Sequence, residues 1–296
     1  MRRRGAIRLP RRLIVALSTL PLLAVLVTPA PGDGASPSAP RCGSSTTLVA
    51  DGVTWTCSFD DEFNGSTVGS GWSPLTTLES SWTTQDTCYL DRPRNVYVSD
   101  GSLRLVARRE SKSFACRAGA RATYSTRHSG GGVTTAGKFT QTFGRFEFRA
   151  KFPATRQAGF WGNLWIYPAK PTYGAWPASG EIDIAEHWSG DGDGVHPTLH
   201  YTGSGKADTS SSCTVHDVSA FHTYALDWMR SSLSFYYDGR LCFRRPWSTF
   251  LGSAVKPFNR PFYLILSEGY GDISKPISAK LPSTGPMAVS WVRVYH

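Results

Sequence analysis

The sequence predicts an all-β fold, a two-sheet sandwich of the jelly-roll type. Short runs of alternating apolar and polar residues recur along the chain, with turn residues such as Asp-Gly between them. Sustained helical periodicity is absent from the sequence beyond the first 40 residues. Because strands with one apolar face must bury that face against another layer, we expect two packed sheets.

The strands can be placed in order along the chain. Residues 95–108 alternate on both sides of a turn at 99–101, residues 138–152 predict a hairpin through Gly144, and residues 232–243 predict another through Asp238 and Gly239. The segment 217–228 also alternates, and residues 287–296 predict a closing strand.

The N-terminal segment has the pattern of an export signal. Six arginines lie within the first 12 residues, and an apolar run from Leu13 to Val27 follows. This run is shorter than the roughly 20 residues of a spanning helix. We therefore predict a signal peptide at residues 1–35, cleaved between 30 and 39, with a retained anchor as the alternative.

One domain is expected after the signal peptide. A Pro/Ser/Gly stretch ends near residue 40, so we expect residues 36–41 to form a short flexible segment and residues 42–296 a single β-sandwich domain. No second linker or repeat follows. The predicted protein is secreted and monomeric, and it has no stable membrane association once the signal is removed.

The charge pattern does not indicate a nucleic-acid partner. The formal net charge is +10, but the signal segment carries six of the arginines and a single acid, so the mature chain is less basic. No block of like charge follows in the mature chain, as a nucleic-acid-binding surface would require.

The cysteines are consistent with an oxidising compartment. They are even in number, widely spaced and without a C-x-x-C pair, which argues against a zinc or thioredoxin-like motif. Six cysteines allow 15 pairings. We predict that sequential neighbours pair: Cys42 with Cys57, Cys88 with Cys116, and Cys213 with Cys242.

An acidic run, "SGEIDIAEHW" at residues 179–188, stands out in a segment that otherwise has the pattern of a strand. Glu181 and Asp183 share a strand face, and a β-bulge after Asp183 would bring Glu186 to the same face. Two glutamates that flank a glycosidic bond would serve a retaining glycosidase as nucleophile and acid/base. Asp183 between them would influence which glutamate is ionised.

Aromatic residues cluster around the acidic run. Four tryptophans, among them Trp161, Trp165 and Trp176, fall within 28 residues. Each could be a core residue of the sandwich. Together they suit a sugar-binding cleft, because the C–H faces of a pyranose stack on flat rings.

These segments resemble glycoside hydrolase family 16. The motif "GEIDIAE" matches the family signature, and "GRFEFRAKFP", "GFWGNLWIYP", "LHYTG", "PFYLIL" and "WVRVYH" occur in the family's order. The longer, bulged acidic motif looks like that of the endo-β-1,3-glucanase, or laminarinase, branch. The resemblance implies a curved jelly-roll sandwich with a concave open cleft and endo cleavage of a polysaccharide.

The resemblance also implies residue roles. Glu181 is the expected nucleophile, Asp183 its assistant and Glu186 the general acid/base. Further residues match substrate-binding positions of the family: Trp161, Trp165, Trp176, Arg149, Asn95 and His200. No cofactor and no catalytic metal are expected; a structural calcium is possible but no site is predicted for it.

Two segments depart from the laminarinase pattern. Where that branch usually has W-P-A-x-W, this chain has Gly162 and Asn163 between its two tryptophans. Near the C-terminal end, Glu268 and Asp272 occupy a stretch that is usually apolar. Both changes bear on the shape of the cleft, so the identity of the polymer is open.

Several alternatives remain at the level of sequence. The same mechanism could act on a mixed-linkage glucan or a galactan, or transfer sugars to an acceptor other than water. A secreted glycan-binding protein without turnover is another possibility, although the intact acids argue against it. A metal site built on Glu186 and His187 is disfavoured, since neighbouring residues of a strand point to opposite faces.

Overall fold

Two antiparallel sheets pack face to face, as the alternating pattern predicts. The computed structural model describes residues 41–82, 87–120, 122–247, 256–271 and 276–296, which belong to a compact unit spanning Ala39–His296. The predicted signal peptide and Asp272 lie outside the described residues. In chain order the strands and short helices are β1 Thr47–Ala50, β2 Val53–Asp61, β3 Ser73–Pro74, α1 Thr77–Ser80, β4 Cys88–Tyr89, β5 Val96–Ser99, β6 Ser102–Ala118, β7 Ala122–Thr134, β8 Gly144–Lys151, β9 Phe160–Pro168, β10 Glu181–Trp188, β11 Gly194–His200, α2 Lys206–Thr209, β12 Cys213–Thr214, β13 His222–Trp228, β14 Ser232–Tyr237, β15 Arg240–Pro246, β16 Phe262–Tyr270 and β17 Thr284–Tyr295.

The cleft sheet contains the acidic run. Its strand order is β11-β10-β9-β16-β7-β3. In the back sheet, β15-β14-β13-β8-β17 lie side by side, and the far edge of β17 pairs with β6 along its first half and with β2 along its second. The β6–β7 hairpin joins the two sheets, because β7 pairs with β6 in one and with β16 in the other.

The core lies between the two sheets. Phe146 and Phe148 of β8 face Leu164 and Ile166 of β9, and all four side chains are buried in one apolar cluster. Burial of each such side chain stabilises the fold by about 1.5–3 kcal/mol. The alternation that buries these residues also points their neighbours in the cleft sheet outward, toward the cleft.

The three predicted disulfides are confirmed. Cys42 pairs with Cys57, Cys88 with Cys116 and Cys213 with Cys242. The second ties β4 to β6 and the third ties β12 to β15. No helix among the described residues is long and apolar enough to cross a membrane.

The predicted hairpin through Gly144 is wrong. Residues 144–151 form the single strand β8, and Gln141 instead bridges to Phe262 of the cleft sheet. Gly144 has φ +113°, and a Cβ there would lie 2.1 Å from the carbonyl oxygen of Tyr295. This glycine therefore permits a close approach of β17 rather than a hairpin turn.

The other predicted turns are confirmed. The turn at 99–101 connects β5 to β6, and Asp238-Gly239 connects β14 to β15. Asp100 and Asp238 both have positive φ, as an Asp-Gly turn between antiparallel strands requires.

Candidate active site

A β-bulge in β10 brings the three acids to one face, as predicted. Asp183 pairs with Trp165 of β9, whereas the next partners are Ala185 with Leu164 and Glu186 with Asn163, so one residue is inserted. The same shift occurs against β11. Because the insertion restores the alternation, Glu186 faces the cleft while Ile184 and Ala185 are buried in the core.

Asp183 is the centre of a hydrogen-bonded cluster. Its Oδ1 accepts a hydrogen bond of 2.7 Å from Nδ2 of Asn163, and its Oδ2 lies 3.0 Å from Nε2 of His200. Burial disfavours the charged imidazole, yet the hydrogen bond and charge of Asp183 raise the pKa of His200 above its usual value. Through these two contacts Asp183 joins Asn163 of β9 to His200 of β11.

Glu181 lies at the open side of the site. Its Oε2 accepts a hydrogen bond of 2.6 Å from the indole N–H of Trp176, which is 56 % exposed. Burial and the charge of Asp183 raise the pKa of Glu181 well above its ordinary value, and the bond from Trp176 opposes that shift. Trp176 thus favours the ionised form that a nucleophile needs.

Glu186 is the more deeply buried glutamate. Its Oε1 accepts a hydrogen bond of 3.1 Å from the indole N–H of Trp161, and the side chain of Thr198 also bonds to it. Burial, and then the charge of Asp183, raises the pKa of Glu186 well above its ordinary value. A raised pKa favours the protonated carboxyl group that a general acid needs.

Glu181, Asp183 and His200 are close enough to be tested as a metal site. One ligand atom from each lies within 4.8 Å of the others. However, Trp176 already donates to Glu181, and Asp183 contacts both Asn163 and His200. Hydrogen bonds account for the cluster, and we identify none of its members as a metal ligand.

An aromatic cavity of about 650 Å³ extends from Glu181 across the cleft sheet. Its lining includes Trp165 and Tyr167 of β9, Tyr263 of β16 and Trp82 after α1. Trp82 was not predicted as a site residue. Its ring lies 5.5 Å from that of Trp161 and 5.3 Å from that of Trp165. A lone tryptophan in the Ser/Thr-rich stretch 80–84 was the available signal.

The predicted substrate-binding residues are only partly brought together. Trp161, Trp165, Trp176 and His200 surround the acids through the contacts described above. Arg149 lies on β8 of the back sheet, where its guanidinium packs over Phe221. Asn95 is fully buried and donates to the carbonyl of Val106 and to Ser129. The structure does not bring these two residues to the carboxylates.

Asn163 is a site residue that the sequence marked only as a departure from a pattern. It lies on β9 directly opposite Glu186 and donates to Asp183. The register of the bulge decides this contact, and a strand sequence alone does not give the partner of each residue.

Comparison with known proteins identifies the family of the chain. The model of the family "Glycosyl hydrolases family 16" matches residues 84–291. The chain belongs to glycosyl hydrolase family 16. Residues 179–188, with all three acids, lie inside the matched segment.

Two named relatives match large parts of the chain. It is 31 % identical over 261 residues, 80 % of its length, to a glucan endo-1,3-β-glucosidase A1 from Niallia circulans. It is 35 % identical over 171 residues, 56 % of its length, to a keratan-sulfate endo-1,4-β-galactosidase from Sphingobacterium multivorum. The matches span 37 % of the first relative and 39 % of the second.

A solved structure has the same fold. The laminarinase from Rhodothermus marinus superposes with a TM-score of 0.69 at 28 % identity. The match covers 82 % of this chain and 97 % of that one. The two-sheet jelly-roll expected from the sequence is therefore confirmed.

Proposed function

We propose that the protein is a secreted retaining endo-glycosidase that cleaves internal β-1,3-glucosidic bonds of a β-glucan. The observation that carries this proposal is the bulge in β10, which sets Glu181, Asp183 and Glu186 on one face beside an aromatic cavity. Aromatic rings hold the faces of the sugar, and the carboxyl groups act on the bond between two of them.

In the first step Glu181 is the nucleophile. One of its carboxylate oxygens attacks the anomeric carbon, and the bond from that carbon to the glycosidic oxygen breaks. The proton of Glu186 passes to the departing oxygen, so the leaving chain is released as a neutral alcohol. The product is a glycosyl ester on Glu181.

In the second step Glu186 changes role. Its carboxylate takes a proton from water while the water oxygen attacks the anomeric carbon, and the ester bond to Glu181 breaks. Two inversions give net retention of the anomeric configuration. An acceptor sugar in place of water would give transglycosylation by the same route.

The charges of the site suit this division of roles. Burial raises the pKa of both glutamates, but Glu186 is the more deeply buried of the two, whereas Glu181 lies at the open side of the site. Asp183 lies between them on β10 and contacts His200. This is the pattern of paired carboxyl groups whose environments separate an acid from a nucleophile.

The β-1,3 linkage is supported by two of the relatives. The Niallia circulans protein is named as an endo-1,3-β-glucosidase and the Rhodothermus marinus structure as a laminarinase. A galactan is the second candidate, because the Sphingobacterium multivorum relative is named as an endo-1,4-β-galactosidase. Three disulfides and the arginine-rich N-terminal segment support export.

The test is release of reducing ends from a panel of polymers. A linear β-1,3-glucan, a mixed-linkage β-glucan, agarose and cellulose are each incubated with the enzyme, with Glu181→Ala as the blank. Short oligosaccharides from the β-1,3-glucan alone would support the proposal. Activity on agarose instead would move the proposal to a galactan, and binding to a polymer without turnover would support the glycan-binding alternative.

Azide rescue tests the assignment of the two glutamates. With an activated aryl glycoside, Glu181→Ala plus azide should give a glycosyl azide of inverted configuration, because azide replaces the missing nucleophile. Glu186→Ala plus azide should give the retained configuration, because azide attacks the glycosyl ester. The opposite pairing of variants and products would reverse the roles.

A further inference from the structure

Asn163 occupies the floor of the site, between the acids and the neighbouring strand. It pairs with Glu186 of β10 on one side and with Ser267 of β16 on the other. Its side chain is 1 % exposed, so its amide is shielded from bulk water. Hydrogen bonds made in such a place are stronger than on the surface.

The amide of Asn163 is oriented by its contact with Asp183. Nδ2 lies 2.7 Å from Oδ1 of Asp183. An ionised carboxylate can only accept hydrogen bonds, and Nδ2 can only donate. The contact therefore stabilises the anion of Asp183 and gives no comparable support to its protonated form.

Other ionisable groups also face Asp183. Glu181 and Glu186 lie beside it on β10, and His200 approaches from β11. Tyr237 of β14 lies on the core side, where burial raises the pKa of its phenol and its hydroxyl donates to the carbonyl of Ile184. Two glutamates compete with Asp183 for a proton, while His200 and Asn163 oppose protonation of Asp183.

We propose that Asn163 is a positioning residue that holds Asp183 as its anion, so that the proton shared by the acids resides on Glu186. This rests on the proposed retaining mechanism, in which Glu186 must enter the first step protonated. The laminarinase pattern described above has alanine at this position. In this chain Asn163 is a second polar partner of Asp183, beside His200.

The mechanism predicts a shift in the pH profile. The competent enzyme has Glu181 and Asp183 ionised, and both must lose their protons on the acidic limb of kcat/KM. Without the amide, Asp183 should keep its proton to higher pH. Loss of one charge-assisted hydrogen bond should move the acidic limb upward by at most about one pH unit, a tenfold change in the protonation equilibrium.

The test compares Asn163→Ala and Asn163→Leu with the wild type. Both remove the donor; leucine also fills the space, so water cannot enter and donate in place of the amide. Ser267→Ala is the matched control, because Ser267 is buried in the same row but accepts from Trp165 rather than contacting an acid. Thermal unfolding of each variant verifies that it is folded at assay temperature.

The expected result is an acidic limb moved upward in both Asn163 variants and unmoved in Ser267→Ala. An active wild type whose limb is unchanged in both variants would overturn this inference alone. Equal shifts in all three variants would also overturn it, since they would reflect a general perturbation of the strands β9 and β16 beside the acids. A wild type inactive on every polymer would overturn the proposed function and this inference with it.

Discussion

Replacing Glu268 should make the stability of the protein less dependent on pH. Glu268 lies on β16 and faces the core, opposite Gly162 of β9 and Gly131 of β7. It is fully buried, and neither of its carboxyl oxygens has a hydrogen-bond partner among the described residues. Burial raises the pKa of Glu268 well above its ordinary value of 4.5.

The sign of the effect follows from where the proton is held. The folded protein keeps the Glu268 proton at pH values where the unfolded chain has released it. The free energy of unfolding therefore falls as the pH rises above 4.5 toward the raised pKa of Glu268. One proton corresponds to at most about 1.4 kcal/mol per pH unit.

Two substitutions distinguish the effect of proton binding by Glu268 from the cost of burying an unpaired polar group. Glu268→Gln keeps the shape and a polar end but cannot titrate, so it should remove the slope due to this residue. Glu268→Met has a similar volume and is apolar. It should also remove the cost of an unpaired buried polar group, about 1–3 kcal/mol, and be more stable than the wild type at every pH.

The assay is urea unfolding followed by tryptophan fluorescence at several pH values above 4.5. Asp60, Glu181 and Glu186 also have raised pKa values, so the wild-type curve contains several contributions. These cancel in the difference between wild type and Glu268→Gln. Parallel stability curves for the two proteins would refute the reasoning, because they would mean that Glu268 releases its proton in both states alike.

Three further substitutions test contacts of the site. Trp176→Phe keeps an aromatic ring but removes the indole N–H that donates to Glu181. The acidic limb of kcat/KM should move upward by less than about one pH unit, because the hydrogen bond is partly exposed. An unmoved limb would contradict the role of the indole. Trp82→Ala should raise KM up to about tenfold with little change in kcat, because an aromatic ring that lines the cavity is lost. Steady-state kinetics on a β-1,3-glucan measures both constants, and a loss confined to kcat would argue against a binding role. Tyr237→Phe removes the 2.9 Å hydrogen bond to the carbonyl of Ile184 in the bulge. The free energy of unfolding, measured by urea denaturation, should fall by about 1–3 kcal/mol. Unchanged stability would show that the hydrogen bond does not support the bulge.

Much of the fold could be predicted because local patterns and turns agree with it. The Asp-Gly turns and alternating strands gave β5–β6 and β14–β15, and the spacing of the acids gave the bulge in β10. The prediction at Gly144 failed because the reason for that glycine is not local. The backbone of Tyr295 occupies the space of a Cβ there, 151 residues further along the chain.

The site was predictable in its acids but not in its surroundings. The three acids lie in one strand, so their residue types and spacing could be read from the sequence alone. Trp82 and Asn163 acquire their roles through cross-strand register and through a segment that folds over the cleft. The same limit applies to Arg149, which is close to the cleft strands in sequence but lies on the back sheet.

The two departures on β9 are adjacent in sequence and point to opposite faces of the sheet. Asn163 faces the cleft and donates to Asp183, whereas Gly162 faces the core, where a Cβ would lie 2.5 Å from Oε2 of Glu268. Each residue thus suits an acid on its own side: a donor on the cleft side and free space on the core side. The consequences should therefore separate. Changes at Asn163 should appear in the pH profile of catalysis, and changes at Gly162 or Glu268 in the stability of the fold.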